Sequence, residues 1–226
     1  DMGKSDRFLE WVKRYAVMDS TPESFRLLGD AEAATGDVVS GVSTLARGRQ
    51  LHPARAFDFT LSMCNALFYA GRDREAIDEW QRRLHVARDP GERWGIHYAR
   101  AAEMIHRGSY RDGLADYTRA SELVRGDRPT EEAQSQIDAA TAYAVGLNDL
   151  GAARRLVREA PELEGAITYR YTYFQYWPYW GGRFKLLLLD HDVSAAEALA
   201  KRMFTADKWY GPYVDAYLQA ARGECV

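Results

Sequence analysis

The chain has 226 residues, enough for one large domain or two small ones with a buried core. Its hydrophobic fraction of 46%, charged fraction of 28% and 7 prolines exclude a disordered tail or a collagen-like array, and the longest apolar run, Leu186 to Leu189, is far too short to span a bilayer. A net charge of -3 provides no basic field for nucleic acid or anionic lipid, so neither is expected as a partner.

Taken in chain order, residues 5–18 read as a first helix with Phe8, Leu9, Val12, Tyr15 and Ala16 on one apolar stripe. Ser20-Thr21-Pro22-Glu23 then predicts a capped helix start, with proline in the first turn. Beyond it, glycines interrupt helical stretches at Gly36, Gly71 and Gly108. Each is followed by a few polar residues and another amphipathic stretch, such as Glu75 to Trp80 after Gly71. This predicts short paired helices with a left-handed stop between them and a small residue where two backbones cross closely.

These residues resemble the tetratricopeptide repeat, a helix-turn-helix unit of about 34 residues. The unit near 22–53 carries Phe25, Leu28-Gly29, Gly36, Gly41 and Pro53 in the diagnostic places, and the unit near 57–90 keeps Gly71, Ala76 and Trp80. The unit near 94–128 keeps Gly108, Gly113, Tyr117 and Ala120. The unit near 134–162 has Asn148 for the turn glycine, with Ala153 and Ala160 at the small positions. A weaker unit at 177–207 offers Trp180, Leu187, Ala196 and Met203, and a second end helix is expected at 208–222 from Trp209, Tyr213, Tyr217 and Leu218. The resemblance implies one all-α domain, a right-handed α-solenoid with a capping helix at each end. A non-repetitive helical bundle, or a relative with longer two-helix repeats, is the alternative architecture.

The stretch from Ala166 to Trp180 breaks the pattern, being rich in aromatic and β-branched residues. It is expected to be a helix that ends before Pro178, with its aromatics filling a seam between helices or, alternatively, stacking on a small ligand through residues 169–180. Few residues suggest chemistry. His97 and His106 fall on opposite sides of a helix, and Asp190-His191-Asp192 reads as a solvated helix end more readily than as metal ligands. Gly3-Lys4-Ser5 lacks the rest of a phosphate-binding loop. Cys64 reads as buried packing, and Glu131-Glu132 reads as solvated carboxylates at a helix start. No nucleophile, base and orienting group can be assembled, so no enzyme, cofactor or metal is expected. Cys64 and Cys225 suggest no disulfide framework and hence a reducing, cytoplasmic setting. The start at Asp1 leaves a removed signal peptide, a tag remnant or an excised domain open.

The expected function is therefore a non-enzymatic interaction module, the sensor or scaffold part of a larger protein, holding a peptide or partner helix in a concave groove. The resemblance places Arg26 and Asp30, Leu61, Asn65 and Phe68, Tyr98, Ala102 and Ile105, and Asp138, Ala142 and Val145 on that groove. Tyr98 and Phe68 are the expected anchors. Some members of the family clamp a carboxylate with lysines and asparagines. Here only Asn65 matches, with Leu61, Ala99 and Ala102 where polar or basic residues would be needed.

Overall fold

The computed structural model describes residues 2–161, 173–204 and 211–223, and the chain is all-helical, with no strand among them. Its contacts fall into two compact units, residues 1–99 and 100–226. The first holds α1 (Met2–Met18), α2 (Pro22–Ala34), α3 (Val38–Leu51), α4 (Ala56–Tyr69) and α5 (Asp73–Val86). Helix α6 (Pro90–His106) spans the division. The second unit continues with α7 (Tyr110–Val124), α8 (Pro129–Thr141), α9 (Leu150–Glu159), α10 (Tyr173–Leu189), α11 (Val193–Phe204) and α12 (Gly211–Ala221).

One turn recurs between these helices. Gly36, Gly71, Gly108, Asn148 and His191 all have positive φ, and they follow one another at intervals of 35, 37, 40 and 43 residues. At Gly71 the amide donates to the Phe68 carbonyl at 2.9 Å and the Arg72 amide to the Leu67 carbonyl at 2.9 Å. The same pair of bonds closes α2, α6 and α10. These bonds satisfy carbonyls that a helix end would otherwise leave orphaned. After Gly36, Asn148 and His191 the next residue is aspartate. The side chains of Asp37, Asp149 and Asp192 accept from the amides of Ser40 (3.1 Å), Ala152 (2.9 Å) and Ala195 (3.0 Å), capping the following helix. At Asn148 the exit differs. A π-helical turn over Ala142–Gly146 precedes it, and the Asp149 amide reaches back to the Tyr143 carbonyl.

A reversal this short brings the two helices close, and small residues occupy the crossings. A Cβ on Gly41 would meet the Gly29 carbonyl oxygen at 2.6 Å, and one on Gly113 would meet the Ala101 carbonyl oxygen at 2.9 Å. Five residues past each turn stand Gly41, Ala76, Gly113, Ala153 and Ala196, all buried. Around Ala76 the core of the first unit gathers Cys64, Leu67, Phe68, Trp80 and Ile96. The second unit's core gathers Ile137, Phe184, Ala196, Val214 and Leu218.

Packing follows chain order. In the first unit α2 contacts α1, α3 and α4, and α4 contacts α3 and α5; in the second, α8 contacts α7, α9 and α10, and α10 contacts α11. Buried carboxylates tie elements together: Arg49 of α3 bonds Glu79 of α5, which also accepts from the exposed Arg82 of its own helix, and Arg100 of α6 grips Asp116 of α7 through two bonds of 2.5 and 2.6 Å. Burial pushes the Glu79 carboxyl up, but the two guanidinium groups outweigh it and hold the group below its ordinary value.

Several local expectations need correction. Helix α10 does not end before Pro178 but continues through it to Leu189, because Phe184 is buried in the core and Gly182 lies so close to Ile137 of α8 that a Cβ would meet its Cγ2 at 2.5 Å. Burial of that distal half outweighs the one hydrogen bond lost at proline. Glu132 is not a solvated helix-start charge; it is buried and accepts from the Gly126 amide at 2.9 Å. On α1, Val12 is buried while Phe8 is about half exposed, so the apolar stripe is narrower than its sequence suggests. Residues 166–172 of the aromatic stretch, with Tyr169, lie outside the described residues, as does Trp209.

Replacing Ala76 or Ala153 by leucine should overpack a closed crossing and cost roughly 1 to 3 kcal/mol. Gly71→Ala should cost about 1 to 2 kcal/mol for a different reason. The added Cβ meets nothing within 4 Å, so only the left-handed backbone is penalised. Denaturant midpoints check both, and wild-type stability in the two leucine variants would contradict the packing described.

Candidate functional site

Helices α2 and α4 pack side by side in the first unit, and between them opens a cleft of about 970 Å³. Residues four apart share a helix face. Accordingly α2 contributes Arg26, Asp30 and Ala34 to the lining, and α4 contributes Leu61, Asn65 and Tyr69. Arg55 and Asp58 line it near the start of α4, and Ser62 and Ala66 form a second row beside the first.

Its polar groups are unevenly satisfied. Arg55 is engaged at Glu23, 2.7 Å away, and at Asp58. Arg26 and Asp30 approach only to 4.0 Å, with side chains 48% and 42% exposed, which makes a weak surface pair. Burial pushes the Asp30 carboxyl above its ordinary value, against the pull of the Ser62 hydroxyl and the Arg26 charge. Asn65 Oδ1 is shielded from solvent and has no hydrogen-bond partner.

Four of the eleven residues expected on a groove, Arg26, Asp30, Leu61 and Asn65, thus meet in one cleft. Phe68 does not join them. It is 3% exposed and belongs to the core with Trp80, because three residues on from Asn65 is a rotation of about 300°, which turns it toward α5. The neighbouring Tyr69, four on from Asn65 and 88% exposed, lines the cleft instead. Extending the stripe by four rather than three residues would have found it. Tyr98 is half-buried on α6 and stacked on Trp94 with centroids 5.1 Å apart, and it is not part of the lining. Asp138 belongs to the second unit, where its charge adds to the burial that raises the Tyr117 hydroxyl. Among the other residues expected on a groove, Ala142 is buried and Val145 is exposed.

Elsewhere, Cys64 is fully buried, with its sulfur 3.5 Å from the Ala76 carbonyl. No group of His, Cys, Asp and Glu among the described residues could hold a metal ion, and no helix there is long and apolar enough to cross a membrane. Comparison with protein-family models, with curated proteins and with solved structures gives no match.

The raised Asp30 carboxyl has a definite pH signature. The unfolded chain releases this proton at lower pH than the folded chain, so the group makes stability fall as pH rises through the carboxylate range. Asp30→Asn removes that loss. Its stability relative to wild type should therefore be more favourable at about pH 7 than at about pH 4, measured by denaturant midpoints. The reverse order would show that burial does not dominate at Asp30.

Proposed function

We propose that the chain is a tetratricopeptide-like right-handed solenoid acting as a non-enzymatic interaction module, and that the α2–α4 cleft receives an extended peptide or a helix of a protein partner. The recurring left-handed turns, and the packing of α2 on α4 and of α8 on α10, support the repeat reading. The observation that carries the functional reading is the cleft itself. It is bounded by four of the residues the repeat register puts on a groove, Arg26, Asp30, Leu61 and Asn65, with the exposed Tyr69 beside them. Its mixture of Leu61 and alanines with charged groups fits a peptide better than a purely apolar ligand.

A random peptide library displayed against the full chain tests this reading. Selected peptides should lose about tenfold or more in affinity on Tyr69→Ala, since exposed aromatics carry large contact area at little entropic cost. Circular dichroism should remain helical. Selected peptides that bind the variant normally would place recognition elsewhere.

A further inference from the structure

We propose that the groove between α3 and α5 is a second docking site, which receives an acidic side chain, aspartate or glutamate, of a partner protein together with an apolar neighbour of that residue. The groove shares no lining residue with the α2–α4 cleft, so the proposal stands or falls apart from the reading of that cleft.

The groove encloses about 380 Å³. The end of α3 and the turn after it bring Arg49 and Pro53 to the lining, and α5 brings Glu79, Arg82, Arg83 and Val86, spaced by three and four residues so that they share a helix face. Its charge is lopsided, with three guanidinium groups against the one carboxylate of Glu79. Arg83 is neutralised by Glu92 of α6, which leaves Arg49 and Arg82 to share Glu79. Both oxygens of that carboxylate are taken: Oε1 accepts from Arg49 Nη1, and Oε2 accepts from Arg82 Nε and Nη2 at 3.1 and 2.6 Å. One positive charge is left over.

Both guanidinium groups also keep donors in reserve. Arg49 donates only through Nη1, to Glu79 and Thr60, so its Nε and Nη2 have no acceptor, and neither atom is shut off from solvent. Arg82 has a side chain 68% exposed, and its Nη1 has no acceptor. Because the buried Glu79 holds both groups from two helices, much of the cost of ordering them falls on folding and not on binding.

Unused N–H groups on two planar forks, with a single charge in excess, fit a carboxylate, a monoanion with two acceptor oxygens. A phosphomonoester carries nearly two negative charges and exceeds that excess, and the net charge of -3 on the chain works against a polyanion. The apolar part of the lining suits a residue beside the acid. Val86 is exposed one helical turn from Arg82, and Pro53 is exposed as well, so a side chain next to the carboxylate has apolar surface to cover.

Titration of the isotopically labelled full chain with the blocked dipeptide N-acetyl-Leu-Glu-amide, followed through arginine Nε–Hε and valine methyl resonances, tests the site. Signals of Arg49, Arg82 and Val86 should move together and saturate, and N-acetyl-Leu-Gln-amide should leave them in place. Arg82→Gln should weaken the acidic dipeptide about tenfold, with circular dichroism still helical, and added salt should weaken it too. Val86→Asn, which leaves every guanidinium in place, should weaken it severalfold. No movement of these signals up to the solubility limit, equal binding of the glutamine dipeptide, or full affinity in both variants would overturn the proposal. Tighter binding of N-acetyl-Leu-Gln with a free terminal carboxylate would overturn the side-chain assignment in favour of a chain terminus.

Discussion

Where a helix here ends in a residue of positive φ, that one backbone conformation closes the last carbonyls and turns the chain back at the same time. Among the described residues five three-residue links use it, at Gly36, Gly71, Gly108, Asn148 and His191; Gly126, also of positive φ, lies in the longer link from α7 to α8, and the links from α1 to α2 and from α5 to α6 do without it. Three are glycine, which adopts the conformation without penalty. Asparagine tolerates it, and histidine adopts it at a cost of roughly 1 to 2 kcal/mol that the buried core of the second unit, including Phe184 and Ala196, must outweigh.

The rest of each helix pair follows from that turn. A short reversal fixes how near the second helix lies, which in turn requires a glycine or alanine five residues on, at Gly41, Ala76, Gly113, Ala153 and Ala196. With the backbones that close, the large side chains interlock one turn further along, as Leu45, Trp80 and Tyr117 do. The first helix of a pair is then held on one side by its partner. Its next face meets the first helix of the following pair, as α2 meets α4, and a row of residues four apart is left to line the cleft. The position of Asn65 is thus a consequence of where Gly71 ends α4.

Turn chemistry and small residues were the parts legible in the sequence, since both are properties of single residue types at short range. Helix stops were expected at Gly36, Gly71, Gly108 and Asn148, and the chain turns left-handed at each; Ala76 and Ala153, expected at close crossings, are buried. At Asp190-His191-Asp192 the helix end was legible but the left-handed conformation of His191 was not, since histidine does not announce that turn as glycine does; the Asp192 cap was the available hint. The path of α10 through Pro178 depends on Gly182 meeting Ile137 forty-five positions away, and propensity carries no information at that range. In the cleft, Arg26, Asp30, Leu61 and Asn65 were legible from register alone. Phe68 and Tyr69 were not separable by residue type, since either aromatic fills a core or lines a groove, and a rotation of about 100° decides between them.

The central claim is that left-handed residues at a recurring register build the helix pairs, and it is tested most directly where glycine is absent. Three-bond amide–Hα couplings and carbon chemical shifts of the isotopically labelled chain report φ at Asn148 and His191. Positive φ at both is the predicted result. Negative, helical φ at either would mean that the helix runs on past the turn, contradicting the account of how the pairs and their small-residue crossings arise.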